Sequence, residues 1–313
     1  MQNIVRVHWP KKTDSLRQKD MRVFDLFCGC GGFSQGFYDA GFEVVGAADA
    51  WGPAVSTYKA AFPDVNVFHA DLSKLEVRDN IVEFCKTNQV DVIIGGPPCQ
   101  GFSSLSENYH ASNKYQLLNS LPYAFTDVCI RTLPKFIVME EVSAFKSAPQ
   151  MQVVCEALAS SGYKVDWKVL DAYEYKSAQK RKRLIIVAHL GNGYKLPLHP
   201  EPCEERVTVA QAIQGAQWGP LVSNDVLEKI KRRAAGDPTL KGFKSTYTVL
   251  NLNEHSGTIT GSCFAAGSGR FSIKSETGTI HRLSVAQAGC LQGFPVSKVY
   301  HGSGVQKAKI IGN

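Results

Sequence analysis

The chain lacks the sequence features of several protein classes. It contains no run of about 20 apolar residues, so no membrane-spanning helix is expected. Residues 1–20 are basic and polar and have no apolar centre of the kind found in secretory signal peptides. There is no internal repeat and no low-complexity tract, so a repeat architecture is not expected.

Paired cysteine motifs are also missing. The nine cysteines are an odd set without CxxC pairs, and Cys28 and Cys30 are too close in sequence for an ordinary zinc pair. The sequence therefore predicts no bound metal and no structural disulfide. Reduced cysteines indicate a cytoplasmic protein, associated with the nucleoid if the source is bacterial.

What is present is typical of a globular protein. The 313 residues are 44% hydrophobic and 20% charged, and this length is sufficient for two domains. The formal net charge of +7 permits a polyanionic partner such as nucleic acid, although charge alone does not establish one.

Strand and helix patterns alternate over the first part of the chain, from residue 21 to residue 189. This alternation predicts an α/β fold with a doubly wound, mostly parallel, Rossmann-like sheet. The predicted strands are 22–27, 43–48, 90–94, 136–139 and 184–188, and the predicted helices are 32–40, 53–61, 123–133 and 151–161.

The pattern changes after residue 190. Gly, Pro, Ser and Thr are frequent between residues 191 and 279, which indicates a smaller, irregular, β-rich domain. Within it we predict one basic helix at 222–235 and short strands at 247–250, 256–261 and 271–274. From residue 281 the pattern is helical again.

One cysteine stands at a position typical of a nucleophile. Residues 96–103 read GPPCQGFS and follow the apolar run 90–94, so Cys99 lies just beyond a predicted buried strand. Ligands of α/β proteins bind at this end of the strands. Pro97 and Pro98 restrict the backbone before Cys99. These features favour a nucleophilic thiol over a buried cysteine in a turn.

A glycine-rich turn predicts a second functional element. Residues 24–34 read FDLFCGCGGFS and connect the first predicted strand to the first helix, where glycines let a ligand approach the backbone. Asp49 follows the second strand, where a carboxylate binds ribose, and Asp71 ends a third strand, where it would accept from an adenine amino group. The pattern GxGxxG lacks its last glycine, which disfavours a dinucleotide and favours an adenosyl ligand without pyrophosphate.

Together these segments resemble the C5-cytosine-specific DNA methyltransferases, in particular the bacterial modification enzymes, along nearly the whole chain. Residues 25–32 resemble the family's S-adenosylmethionine motif, and residues 96–103 closely match its nucleophile motif. Residues 139–142, MEEV, resemble the Glu-Asn-Val motif, and residues 179–183, QKRKR, match Gln-x-Arg-x-Arg. Residues 282–295 resemble the motif after the target-recognition domain, and residues 311–313 resemble the start of the last motif.

The resemblance implies methyl transfer from S-adenosylmethionine to C5 of a flipped-out cytosine in a specific sequence of double-stranded DNA, by way of a covalent bond between Cys99 and C6. It implies that Glu140 holds N3 and the exocyclic amine of the base and that Arg183 binds O2. Arg181 would support the loop or a phosphate. Without the resemblance, a solvated basic hairpin would be preferred for both arginines.

The resemblance also implies binding residues and domains. The cofactor residues would be Phe27, Gly29, Cys30, Gly31, Gly32, Asp49, Ala50, Asp71, Leu72, Pro98 and Asn313, and the DNA-binding residues Gln100, Ser103, Thr258 and Thr260. The catalytic domain would comprise residues 21–190 and 281–313, the target-recognition domain residues 191–280, and a basic arm residues 1–20. A role in a restriction–modification system is expected from the family.

Some positions depart from the family pattern. Glu141 replaces the usual Asn after the catalytic Glu, Gln287 stands where Glu is common, and Cys290 stands where Arg is common. The sequence ends at Asn313, at the start of the last motif, which predicts a truncated sequence, a second polypeptide that completes the motif, or weak cofactor binding by this chain alone. Three alternatives stay open: a tRNA cytosine-C5 methyltransferase, a catalytically weakened DNA-binding member, and a thiol enzyme acting on a small molecule.

Overall fold

The computed structural model describes residues 20–98, 113–191, 199–237, 239, 248–261 and 271–313, with only the backbone of 113–119. The chain divides into two compact units. The first comprises Met1–Leu170 and Lys182–Glu201, and the second comprises Asp171–Arg181 and Pro202–Asn313. None of the helices in the described ranges is both long enough and apolar enough to cross a membrane.

A seven-stranded sheet forms the centre of the first unit. Its strands lie in the order β3-β2-β1-β4-β5-β7-β6, which confirms the predicted Rossmann-like class. Strands β1 to β5 are parallel to one another, and β7 is antiparallel to β5. The strands are β1 (Arg22–Leu26), β2 (Glu43–Asp49), β3 (Asn66–His69), β4 (Val92–Gly95), β5 (Phe136–Val142), β6 (Tyr163–Asp171) and β7 (Lys182–Leu190).

Helices cover both faces of this sheet. They are α1 (Gly32–Asp39), α2 (Gly52–Ala61), α3 (Leu75–Thr87), α4 (Asn113–Thr132) and α5 (Pro149–Ser160). Along β1, Phe24 and Leu26 pack into the cluster formed by α3, α4 and α5, whereas Val23 packs into the cluster that includes α1. Successive residues of a strand point to opposite faces, so both faces of β1 are buried.

The strand order reverses at β1, which has β2 on one side and β4 on the other. Leu26 lies opposite Ala48 and Gly95, and Gly95 lies opposite Met139. The segments that follow β1, β2 and β4, together with Glu140 of β5, therefore start from one edge of the sheet. Open α/β sheets bind ligands at such a reversal point.

Short elements make up the second unit. Three strands in the order β10-β9-β8 form a small sheet. They are β8 (Thr248–Leu250), β9 (Phe271–Lys274) and β10 (Ile280–Arg282), and the helices are α6 (Val209–Ala212), α7 (Asn224–Ala234), α8 (Val285–Leu291) and α9 (Gly304–Gly312). Residues 281–313 group with this unit; the functional domain boundaries stay a prediction.

The predicted strand at 256–261 is wrong. Only Ser256 pairs with another segment, in an isolated bridge to Gln179. Further along, the backbone N–H of Ile259 donates to the side chain of Gln179, at 2.7 Å from Oε1. The side chain of Gln179 thus accepts a backbone hydrogen bond that a neighbouring strand would otherwise accept.

Candidate functional site

The turn between β1 and α1 is held in left-handed backbone conformations. Phe27, Gly29 and Gly31 have φ values of 57°, 53° and 85°. A Cβ atom on Gly31 would lie 2.6 Å from the ring of Phe62, so only glycine fits there. The Cβ position of Gly29, in contrast, has no heavy atom within 4 Å. The backbone at Gly29 therefore faces open space, where a ligand can approach it closely.

Asp49, at the end of β2, connects two loops at the sheet edge. Its Oδ2 accepts from the backbone N–H of Gly29 at 2.9 Å, and its Oδ1 accepts from the backbone N–H of Trp51 at 2.8 Å. Burial raises the pKa of this carboxyl group, and the two backbone hydrogen bonds oppose that change. Because each carboxylate oxygen has two lone pairs, Asp49 can hold the glycine turn and still accept from a ligand hydroxyl.

Asp25, which is fully buried in β1, anchors a network below the turn. Its Oδ2 accepts from the hydroxyl of Ser34 at 2.7 Å, and the Ser34 Oγ lies 2.6 Å from the Tyr58 hydroxyl. The network joins β1 to α1 and α2. Burial raises the pKa of Asp25 to about 7, although the hydrogen bonds from Ser34 act in the opposite direction. A carboxyl group inside an apolar strand was the only sequence signal for this network.

Two cysteines lie in the glycine turn, and both are buried. Burial, reinforced by Asp25 and Asp49, raises the pKa of the Cys28 thiol well above its ordinary value. Since the thiolate is the nucleophilic form, Cys28 is unreactive here. Cys30 stays a predicted cofactor contact. In the described part of the chain, no three His, Cys, Asp or Glu side chains are grouped to hold a metal ion.

A pocket of about 440 Å³ opens beyond β2 and β3. Its lining comprises Ala50, Phe68, His69, Ala70, Asp71, Lys74, Val77, Asn80 and Ile81. The apolar side chains of Phe68, Val77 and Ile81 and the carboxylate of Asp71 suit a planar base that carries an amino group. Asp71 Oδ1 already accepts from the backbone N–H and hydroxyl of Ser73, at 3.0 and 2.7 Å.

Two side chains of this pocket, His69 and Lys74, had no sequence signal. The Nε2 atom of His69 lies 3.0 Å from the carbonyl oxygen of Ala50, which connects the ends of β2 and β3. Leu72 is buried in the core below the pocket, so its side chain packs with apolar residues. The predicted cofactor contact of Leu72 would therefore have to be made by its backbone.

Glu140 and Arg183 form an ion pair at the same edge of the sheet. Arg183 Nε lies 2.6 Å from Glu140 Oε1, and the side chains are 22% and 28% exposed. Glu140 lies opposite Ile185 in the antiparallel pair, so Arg183, two residues away, is on the same face and within reach. A Cβ atom on Gly96 would lie 3.1 Å from Glu140 Oε2. The pair therefore lies directly beside the segment that follows β4.

That segment leads towards the predicted nucleophile. Pro97 is buried and Pro98 is partly buried, and Cys99 is the next residue. Cys99, Gln100 and Ser103 lie outside the residues that the structure describes. Their predicted roles, and that of Pro98, stay predictions.

The other two polar residues of the Gln-x-Arg-x-Arg motif lie in the second unit. Gln179 donates from Nε2 to Gln292 Oε1 at 2.8 Å and accepts from Ile259. Arg181 donates to the carbonyl oxygens of Ile259, Gly312 and Asn313 at 3.2–3.3 Å. Arg181 thus fixes the end of α9, and its assignment as a catalytic residue stays a prediction.

The predicted DNA and cofactor contacts of the second unit also have partners within the chain. The Thr258 hydroxyl donates to the carbonyl oxygen of Lys180 at 2.9 Å. The backbone N–H of Asn313 donates to the carbonyl oxygen of Lys309 at 3.0 Å. Thr260 is partly buried. The structure does not test the ligand contacts predicted for these three residues.

Comparison with known proteins adds the following matches. The family model described as C-5 cytosine-specific DNA methylase matches residues 21–313. The chain is 36% identical over 169 residues to the type II methyltransferase M.HgiDI of Herpetosiphon aurantiacus, covering 54% of this chain and 52% of that protein. It is 35% identical over 211 residues to mouse DNA (cytosine-5)-methyltransferase 1, covering 63% of this chain and 13% of that protein.

The alignments thus span about half the length of the bacterial relative and a small part of the mouse protein. Among solved structures, Schizosaccharomyces pombe Dnmt2 methyltransferase has a TM-score of 0.70 at 16% identity, covering 93% of both chains. This likeness supports the fold. The family model covers nearly the whole chain, and the chain therefore belongs to the C-5 cytosine-specific DNA methylase family.

Proposed function

We propose that the protein transfers a methyl group from S-adenosylmethionine to C5 of a cytosine in double-stranded DNA. The observation that carries this proposal is the Glu140–Arg183 ion pair beside Gly96, on the sheet edge that also bears the glycine turn. It supplies a carboxyl group and a guanidinium group next to the segment that ends at Cys99. Membership of the family agrees with this chemistry.

The proposed reaction starts at the Cys99 sulfur. C5 of cytosine is a poor nucleophile until a thiolate adds to C6. The new bond between Sγ and C6 moves the ring's double-bond electrons towards C5 and makes that carbon reactive. After methylation, a base removes the C5 proton, the electrons return to the ring, and the bond between Sγ and C6 breaks. The thiol is thereby regenerated.

Glu140 and Arg183 would act on the other edge of the base. Protonation or hydrogen bonding of N3 by Glu140 draws electrons from C6 as the sulfur arrives, and Arg183 donates to O2. The two side chains bind each other at 2.6 Å. The ion pair thus keeps both groups oriented at the place where the base binds.

The residues around the glycine turn fit the adenosyl part of the cofactor. The open space at Gly29 suits a group that contacts the backbone, and the lone pairs of Asp49 suit a ribose. The pocket lined by Phe68, Asp71 and Ile81 suits a base. When bound, S-adenosylmethionine supplies an electrophilic methyl group on a sulfonium. Asp49 and Asp71 would orient it, and the buried network of Asp25 would hold the turn below it.

We also propose a modification role in a restriction–modification system, which agrees with the type II methyltransferase named above. We propose a cytoplasmic location as well, which agrees with the bacterial relative named above. We propose a partner polypeptide as well, and the experiment below tests for it.

The direct test is to methylate DNA with the purified chain and to sequence it. Unmethylated genomic DNA is incubated with the chain and S-adenosylmethionine, and 5-methylcytosine is mapped at base resolution. We expect methylation at one short sequence motif and none with Cys99→Ala. A parallel reaction uses unmodified tRNA. Methylation of tRNA alone would select the RNA alternative.

If neither nucleic acid is methylated, the reaction is repeated with an extract of the source organism that supplies any partner chain. Activity that appears only then would support the second polypeptide. No methylation under any of these conditions would contradict the proposed function and favour a non-catalytic DNA-binding protein.

A further inference from the structure

A second pocket lies wholly within the second unit. Its volume is about 300 Å³, and its walls come from the segment between α6 and α7 and from the chain around α8 and α9. It is lined by Gln217, Ser284, Val285, Ala286, Lys298, Val299, Tyr300 and Lys307. None of these residues is acidic, and two carry a positive charge. No role was predicted for this pocket from the sequence.

The sequence around this pocket is unusually poor in carboxylates. Residues 277–313 contain no Asp or Glu but include Arg282, Lys298, Lys307 and Lys309, and residues 206–224 contain no Asp or Glu either. All the lining residues come from these two stretches. The local charge is therefore positive, and an anionic ligand is favoured there.

The packing around Lys298 fixes one wall of the pocket. The Lys298 ammonium group lies 4.7 Å from the centre of the Phe294 ring, in a cation–π contact. Phe294 packs edge-on against Tyr300, with 6.2 Å between the ring centres. Tyr300 is buried, and its hydroxyl occupies the place that a Cβ atom on Gly289 would take. The Lys298 ammonium nitrogen is itself buried, so it contributes positive charge to the wall of the pocket rather than an exposed donor.

Lys307 lies on α9 and is partly buried. Among the carboxylates of the described residues, none lies within ion-pair distance of its ammonium group, whereas Lys229 and Lys231 of α7 pair with Asp225 and Glu228. An anion at Lys307 therefore does not compete with an internal ion pair. The basic helix α7 is the less suitable anion site for the same reason.

We propose that this pocket binds one phosphate group of the DNA backbone through Lys307, next to the positive charge of Lys298. The proposal rests on the proposed DNA substrate and adds a contact outside the catalytic centre. A lysine presents a point charge to a phosphate and reads no base, so the contact contributes affinity and position but no sequence preference. Free inorganic phosphate has the same chemistry and is the alternative source of the ligand.

The test compares Lys307→Gln with Lys309→Gln, its matched control. Both lysines lie on α9, but Lys309 does not line the pocket. Duplex DNA binding is measured by fluorescence anisotropy between 50 and 200 mM salt. Loss of one phosphate contact lowers the slope of log K against log salt by about one and weakens binding about tenfold at low salt. We expect this for Lys307→Gln on cognate and unrelated duplexes alike, and a smaller change for Lys309→Gln.

Equal changes in the two variants would overturn the proposal, since they would reflect general charge rather than a pocket. An unchanged slope in Lys307→Gln, with its melting temperature preserved, would overturn it as well. Lys298→Gln provides a second variant and should also lower the slope. If inorganic phosphate at constant ionic strength raises the melting temperature of the wild type but the slope is unchanged in both variants, the pocket binds free phosphate and the DNA assignment is wrong.

Methyl transfer separates this proposal from the proposed function. With saturating DNA, the kcat of Lys307→Gln should stay within about twofold of the wild type while KM for DNA rises about tenfold, as expected for lost uniform binding. A wild type that binds DNA but transfers no methyl group would contradict the proposed function and leave the pocket assignment standing. A fall in kcat with unchanged KM would contradict the pocket assignment.

Discussion

Two regions of the same sheet edge use carboxyl groups in opposite ways. In the region of β1 and β2, Asp25 and Asp49 are held by donors from their own chain: the Ser34 hydroxyl for the first and two backbone N–H groups for the second. In the region of β5 and β7, Glu140 is 28% exposed and is paired with the long side chain of Arg183. The first region fixes the backbone, and the second leaves its charges accessible.

The difference shows which carboxylates have a structural role and which are available for chemistry. Burying a carboxyl group is costly unless it is hydrogen-bonded or neutral, and Asp25 satisfies both conditions because its raised pKa keeps it largely protonated below pH 7. Glu140 pairs with Arg183 at the surface of the cleft, where a ligand can replace either partner. Substitutions should therefore affect mainly stability at Asp25, cofactor binding at Asp49 and chemistry at Glu140.

Replacing Glu140 should have the largest effect. Glu140→Gln keeps the shape of the side chain but removes its proton transfer, and general acid–base groups typically contribute about 10²–10⁴-fold to a rate. We expect single-turnover methyl transfer to fall about 10³-fold, with DNA binding and melting temperature nearly unchanged. Glu156→Gln, on the exposed side of α5, is the matched control. A decrease of less than tenfold in the rate of methyl transfer would contradict the proposed difference between the two regions.

Asp25 should make stability depend on pH. Its pKa is about 7 in the folded chain and 3.8 as the ordinary value, so the folded state holds an extra proton between these pH values. The stabilising contribution of Asp25 is therefore fully present below pH 3.8 and is lost as the pH rises through about 7. Between pH 5 and pH 8 we expect a loss of about 2 kcal/mol from this group.

Urea unfolding at several pH values checks this expectation. Asp25→Asn removes the titrating group, so the difference between wild type and variant should change with pH in the direction given. For Asp39→Asn, on the exposed side of α1, the free energy of unfolding should change with pH as it does in the wild type. If the free energy of unfolding of Asp25→Asn also changes with pH as in the wild type, the buried carboxyl group is ionised throughout this pH range. Its contrast with Glu140 then disappears.

The smallest effect is expected at Asp49. Asp49→Asn has one acceptor oxygen instead of two, so one of the backbone donors of Gly29 and Trp51 loses its partner and the glycine turn loosens. We expect S-adenosylmethionine to bind about tenfold more weakly by calorimetry, with little change in kcat at saturating cofactor. Asp64→Asn, which is exposed after α2, serves as the control. A reduced kcat with unchanged affinity would place Asp49 with the catalytic groups.

Much of the fold was predictable from the sequence because the central strands are almost wholly apolar. The runs in β1, β2, β4 and β5 are buried on both faces, and such runs indicate a parallel sheet. Helix α3 was missed because it buries only Ile81, Val82 and Cys85 among polar residues. Strand β6 was missed because it lies at an edge of the sheet and most of its residues are only partly buried.

The residues of the site could be predicted from the sequence, but the contacts between them could not. The motifs name both Glu140 and Arg183, yet their contact depends on the antiparallel register of β5 and β7, which no local pattern specifies. No sequence pattern indicated that Arg181 contacts the end of α9 whereas Arg183 pairs with Glu140, since the two arginines are only two positions apart in one basic run. The roles of Ser34 and Tyr58 around Asp25 also depend on how helices pack, which a single sequence leaves open.

The central claim is that Cys99 forms a transient covalent bond to the target base, and it is best tested with DNA that contains 5-fluorocytosine at the methylated position. The fluorine cannot leave as a proton does, so the adduct should be trapped after methylation. We predict a complex of chain and DNA that survives denaturation, with the modified nucleotide on the Cys99 peptide by mass spectrometry and no complex for Cys99→Ala. An adduct on another cysteine, or methylated DNA without any trapped complex, would contradict the account.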